Sequence, residues 1–123
     1  MNKIRVAVLC SGGGTNLQAI LDAQAAGTIA SGEVSLVVSD NASAYALERA
    51  KAAKVATFVA DKKQFPDRRV REELISAALE ERGIGLVVLA GFMTILSEAF
   101  TKKYDMRMIN VHPSLIPSFC GPG

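Results

Sequence analysis

Five short apolar runs alternate with segments patterned for helix along this chain, and that alternation constrains the fold more than any other feature. Residues 4–9 (IRVAVL) form a run that suits a strand buried on both faces. Leu17, Ile20, Leu21 and Ala25 then recur at helical spacing, so a helix is expected from about Thr15 to Ala26, with Gly27 as its stop. Residues 34–38 (VSLVV) make a second strand. The SDNAS stretch after it offers side chains able to cap a helix carrying Leu47, Ala50 and Ala53. A third strand is expected at 55–59, and Val70, Leu74, Ile75, Ala78 and Leu79 mark a longer helix ending near Gly83. Residues 86–90 (LVVLA), a short helix over 97–103 and a fifth strand at 107–111 complete the series.

Parallel neighbours need crossover connections, and those crossovers are right-handed. Strand and helix alternating five times therefore predict an α/β fold: a Rossmann-like open, mostly parallel sheet with helices on both faces. In such sheets ligands sit beyond the carboxyl ends of the strands, near the point where strand order reverses. The loops after the first, fourth and fifth strands are thus the places to look for chemistry.

A length of 123 residues fits one domain with a single core. Fourteen basic against 12 acidic residues give a net charge of +2, and neither sign forms the long block of a nucleic-acid-binding arm. The cluster Arg68, Arg69, Arg71 is interleaved with acids and reads on pattern alone as a solvated helix face. No apolar run approaches the ~20 residues needed to cross a bilayer, and the N-terminus lacks a signal-peptide pattern. The cytoplasm is the expected compartment, with no membrane or nucleic-acid partner. Cys10 and Cys120 match no metal or redox spacing and are expected to be reduced thiols.

The loop after the first strand reads SGGGTN, residues 11–16. A P-loop would need lysine and Ser/Thr after its last glycine, where Thr15 and Asn16 stand, and the dinucleotide fingerprint would need glycine at Leu17. A Cys-x5-Arg phosphatase loop starting at Cys10 would need arginine where Asn16 stands, so Cys10 is expected to be a small buried residue. There remains a strand, a glycine turn and a helix N-terminus with Thr15 and Asn16 as added donors. That combination suits one phosphate, the bland alternative being a tight turn with no ligand.

Two further stretches can carry chemistry. In NVHP, Asn110 and His112 are two residues apart, so on an extended strand both side chains project to one face. Asn110 can donate to a developing oxyanion, and His112, the only histidine, can exchange a proton near neutrality. A histidine merely satisfied at a strand end is the competing reading. In LAGFMTIL, Gly91 lets the chain leave the fourth strand tightly, and Phe92, Met93, Ile95 and Leu96 offer an apolar wall for a planar heteroaromatic ligand. Ordinary core packing is the commoner use of such residues.

Taken in order, SGGGTNLQAI, LAGFMTIL and NVHPSLIP resemble the phosphoribosylglycinamide formyltransferase family of purine biosynthesis, over essentially the whole chain. The resemblance implies transfer of a formyl group from 10-formyltetrahydrofolate to the amine of glycinamide ribonucleotide, with no metal and no nicotinamide. By position, Gly13, Gly14, Thr15 and Asn16 match the family's loop around the 5′-phosphate. Met93, Thr94, Ile95 and Leu96 match the segment lining the folate pocket, where Arg68 aligns with a basic residue that contacts the folate. Asn110 and His112 match the catalytic pair, Asn110 also bordering the folate.

Two departures from the family pattern bear on these expectations. Thr94 stands where many members carry a basic residue, which bears on one folate contact. Members also continue beyond the point matching Gly123, supplying more sheet and an Asp-Gly-Gly loop whose aspartate helps orient the catalytic histidine. No Asp-Gly-Gly occurs here. Residues 1–123 are thus expected to be the N-terminal, ribonucleotide-binding and catalytic-motif portion of a formyltransferase domain, with the C-terminal part absent. Such a truncated polypeptide is expected to hold the phosphate weakly, to catalyse little alone, and to present a sheet edge that favours self-association. The alternatives are a formyltetrahydrofolate hydrolase, which shares the Asn-x-His pattern but needs no phosphate loop, and an inactive phosphate-binding fragment.

Overall fold

A computed structural model describes residues 3–27, 32–92 and 96–111 of the chain. Nine elements alternate from β1 (Ile4–Cys10) through α1 (Thr15–Ala25), β2 (Gly32–Ser39), α2 (Tyr45–Ala52), β3 (Ala56–Val59), α3 (Arg68–Glu81), β4 (Leu86–Ala90) and α4 (Glu98–Lys103) to β5 (Met108–Val111). The strands form one sheet of order β3-β2-β1-β4-β5, parallel throughout. The expected Rossmann-like α/β architecture is therefore present, with all five strands where the apolar runs lie.

β1 occupies the centre, paired with β2 on one side and β4 on the other. Ala7, Val8, Leu9 and Cys10 are fully buried, as a strand covered on both faces requires. Their alternate side chains feed two cores. On one face Val6, Val8 and Cys10 meet Leu17 and Leu21 of α1 and Ala46 and Ala50 of α2. On the other, Ala7 and Leu9 meet Ile75 and Leu79 of α3 with Phe100 of α4 and Tyr104 just after it. The β1–β2 register slips between Val6 and Ala7, so Val34 and Val37 both reach the first core while Leu36 and Val38 face the second.

Two local expectations are corrected. No SDNAS side chain caps α2, whose N-cap is Ala44 with no side-chain hydrogen bond. Those side chains close the turn before it instead: Ser39 Oγ accepts from Asn41 N–H at 3.1 Å, and Asn41 Oδ1 accepts from Ser43 N–H at 3.0 Å. Turn closure competes with capping for the same short polar groups. Arg71 does not belong to a solvated face. It is buried, and its guanidinium donates to the carbonyls of Phe65 (2.6 Å) and Pro66 (3.0 Å), fastening the loop that enters α3. Phe92 and Leu96, two residues of the expected apolar wall, are partly buried against the second core.

Candidate active site

The strand order reverses between β1 and β4, since β1 leads on to β2 at one side while β4 lies at the other. The loops leaving these two strands meet there. Ser11 N–H donates to the carbonyl of Gly91 at 3.2 Å, tying the glycine loop to the exit of β4. Gly91 itself is left-handed, φ +75°, which lets the chain turn off the strand at that contact.

Ser11 is buried, whereas Gly12 and Gly13 are exposed and a side chain built on either would meet nothing within 4 Å. The loop's outer side is therefore open. Gly14, left-handed at φ +78°, is the N-cap of α1; no side chain caps the helix and no acidic residue lies in its first turn. Thr15 is exposed and Asn16 half-buried at the start of that helix. A helix N-terminus with uncapped donors and open glycine amides beside it has the donor set and the dipole sign for an anion.

Two strands over, Asn110 pairs in register with Leu89, and Val111 with Ala90. Asn110 is exposed on the outermost strand. Its neighbours Ile109 and Val111 line a groove on the α1 side, so Asn110 projects to the α3 and α4 side of the sheet. Arg68 is the exposed first residue of α3, whose N-terminus lies beyond the carboxyl end of β3. Gly13, Gly14, Thr15, Asn16, Arg68 and Asn110 thus all stand on the carboxyl rim of the sheet. Leu96 sits in the segment before α4, packed against the core. Met93, Thr94, Ile95 and His112 lie outside the described residues.

Two side chains that sequence reasoning passed over shape this rim. Arg49 of α2 donates from Nε to the Gly13 carbonyl at 2.7 Å, and from Nη1 to Gln18 Oε1 at 3.2 Å. Glu72 of α3, almost fully buried, accepts from both the N–H (2.5 Å) and the Oγ–H (2.7 Å) of Ser97, the N-cap of α4. A lone arginine or glutamate on a helix carries no spacing signal; the only hint was a charged residue beside small or apolar ones.

Cys10 ends β1 next to the loop, fully buried, and that burial pushes its thiol up to about 12. A neutral thiol without access is no nucleophile, in line with the reading of Cys10 as a small core residue. Among the described residues no three His, Cys, Asp or Glu side chains converge in a metal-binding group, and no helix is long and apolar enough to cross a membrane.

Known proteins resemble this chain in sequence and fold. The trifunctional purine biosynthetic protein adenosine-3 of Gallus gallus is 44% identical over 120 residues, covering 98% of this chain and 12% of that protein. The phosphoribosylglycinamide formyltransferase of Haemophilus influenzae is 40% identical over 117 residues, covering 95% of this chain and 55% of its own length. Among solved structures, the phosphoribosylglycinamide formyltransferase of Coxiella burnetii superposes with a TM-score of 0.85 at 41% identity, over 98% of this chain and 56% of the other. The chain thus spans about half the length of the single-function relatives it matches. A family described as formyl transferase matches residues 4–123, and the chain belongs to that family.

Proposed function

We propose that this chain is the ribonucleotide-binding and catalytic-motif portion of an enzyme that transfers a formyl group from 10-formyltetrahydrofolate to the amine of glycinamide ribonucleotide in purine biosynthesis, in the cytoplasm. The observation that carries the reading is the open, uncapped glycine loop at the strand-order reversal, in a chain about 40% identical to proteins of that name. The loop of Gly13, Gly14, Thr15 and Asn16 takes the 5′-phosphate. Met93, Thr94, Ile95 and Leu96 line the folate side, with Arg68 contacting the folate.

The chemistry needs one tetrahedral step. The uncharged amine attacks the formyl carbon, the new C–N bond forms, and negative charge gathers on the formyl oxygen. Asn110 donates to that oxyanion, joined by protonated His112. As the bond from the formyl carbon to the folate nitrogen breaks, His112 gives its proton to the departing nitrogen and takes back the proton shed by the amine. Holding the two substrates together supplies orientation.

The test uses the purified 123-residue polypeptide. Calorimetric titration with glycinamide ribonucleotide is expected to show binding that its dephosphorylated riboside does not. Equal response to both, or to neither, overturns the phosphate-loop reading. Incubation with 10-formyltetrahydrofolate separates the remaining readings: formate release without the ribonucleotide marks a hydrolase, and binding without any transfer marks a phosphate-binding fragment.

The sheet edge supports the reading of a partner. Ile109 on β5 is half exposed, and it lines with Ile4, Ile20, Leu86, Val88 and Val111 an apolar groove of about 290 Å³. A parallel sheet normally has both faces covered. We propose that a second copy covers this one in the isolated polypeptide, β5 facing β5 about a twofold axis. Sedimentation of wild type as a dimer and of Ile109→Lys as a monomer is expected; a monomeric wild type overturns it.

A further inference from the structure

Helix α2 grips two consecutive carbonyls of the glycine loop. Ala46 N–H donates to the Gly12 carbonyl at 3.2 Å, and Arg49 Nε to the Gly13 carbonyl at 2.7 Å, 36 residues away in sequence. All peptide bonds here are trans among the described residues, and a trans peptide carries its C=O and N–H on opposite sides. Turning the Gly12 and Gly13 carbonyls toward α2 therefore turns the N–H groups of the same two planes, those of Gly13 and Gly14, away from α2. That is the open side of the loop.

The arginine is well braced for this. Its guanidinium carbon stands 4.9 Å from the centroid of the Tyr45 ring, its Nη1 reaches Gln18 Oε1, and Gln18 Nε2 in turn donates to Asp22 Oδ1 at 2.9 Å. Arg49 thus joins α2, the loop and α1 through one planar group. Lysine could supply the charge and one donor, but not the fork that reaches Gly13 and Gln18 together.

We propose that Arg49 is a positioning residue for the phosphate loop: by holding the Gly13 carbonyl it aims the Gly14 amide at the ligand, and its charge favours a dianion beside it. This rests on the loop being the phosphate site. Arg49 acts through the Gly13–Gly14 peptide and does not itself touch the phosphate. A charge-assisted hydrogen bond of this length holds a peptide plane more firmly than a neutral one.

The test is a titration of the 123-residue polypeptide with inorganic phosphate and then glycinamide ribonucleotide, followed by ¹⁵N–¹H correlation spectra. In wild type the Gly13 and Gly14 amide signals are expected to move downfield together. In Arg49→Met the Gly14 signal is expected to be displaced before any ligand is added, and phosphate affinity to fall about tenfold or more. Arg49→Lys should recover most of that affinity, and Arg49→Gln, which keeps a donor without charge, less. Should Arg49→Met not fold, the comparison of the lysine and glutamine variants decides. Affinities within twofold of wild type in the variants that fold overturn the role of Arg49 alone. A wild type whose loop amides ignore both ligands overturns the phosphate site and this role with it.

Discussion

A Cβ placed on Gly14 would lie 2.7 Å from the Cβ of Ala46 and 2.9 Å from its Cα. Real Cβ atoms do not approach so closely, and the obstacle includes backbone that belongs to α2. Gly14 also sits at φ +78°, where a side chain costs about 1–2 kcal/mol by itself. Overpacking adds about 1–3 kcal/mol. Gly14→Ala is therefore expected to lower stability by about 2–5 kcal/mol in urea denaturation. Gly13 is the contrasting position, with nothing within 4 Å of its would-be Cβ. Gly13→Ala should leave stability within about 0.5 kcal/mol while its methyl obstructs the anion, so calorimetry should show lost phosphate binding in a folded protein.

Glu72 and Ser97 carry the second prediction. One buried carboxylate satisfies the N–H and the hydroxyl of the residue that caps α4, and Ser97 Oγ accepts in turn from Phe100 N–H at 3.2 Å. Removing the carboxylate strands two donors where water has little access. Glu72→Ala is expected to cost about 2–3 kcal/mol and Ser97→Ala about 1 kcal/mol. Because the two share one network, the double variant should cost less than the sum by at least about 0.5 kcal/mol. A double-variant cycle in chemical denaturation reads this directly, and strict additivity would show the contact to carry no energy.

How much of this was legible beforehand divides along physical lines. Strands buried on both faces leave runs such as LVVLA that need no context, and the order of runs and helices implied the crossover topology. Gly14 was legible as part of a turn because turn chemistry is local. The roles of Arg49, Arg71 and Glu72 were not, because each acts on a backbone carbonyl or amide in another segment, and a backbone group leaves no mark in a sequence. The α2 cap failed for the opposite reason. SDNAS held several competent side chains, but Ser39 and Asn41 had a nearer use in closing their own turn. Asn110 and His112 were singled out by family pattern and alternation; only Asn110 lies among the described residues, exposed on β5.

Cys10 makes stability depend on alkali. Its thiol, ordinarily at 9.0, is pushed up to about 12 in the folded chain by burial. Between those values the unfolded chain releases a proton that the folded chain keeps, so the unfolded state binds fewer protons and stability falls as pH rises. The contribution is fully present below pH 9 and declines by about 1.4 kcal/mol per pH unit above it. Denaturation of wild type and Cys10→Ala across pH 8–11 should show a steeper decline in wild type, the two curves running parallel below pH 9. In native protein at pH 8, iodoacetamide should leave the Cys10 peptide unmodified by mass spectrometry; modification at the rate of an unfolded chain would contradict the burial.

The proposed catalytic pair is tested best where slow chemistry is visible. Asn110 sits exposed on β5, paired through Leu89 of β4, while the glycine loop hangs from β1 two strands away. Losing its amide should therefore remove a donor to the oxyanion without moving the groups that hold the phosphate. With protein in excess over glycinamide ribonucleotide and saturating 10-formyltetrahydrofolate, Asn110→Ala is expected to slow transfer by about 10²–10³ and His112→Ala by about 10²–10⁴. Ribonucleotide affinity should stay within about twofold, since loop and pair lie on different strands. Their effects should not multiply in the double variant, because both groups serve one tetrahedral intermediate. Single-turnover rates unchanged in either variant would remove Asn110 or His112 from the chemistry, whatever the loop binds.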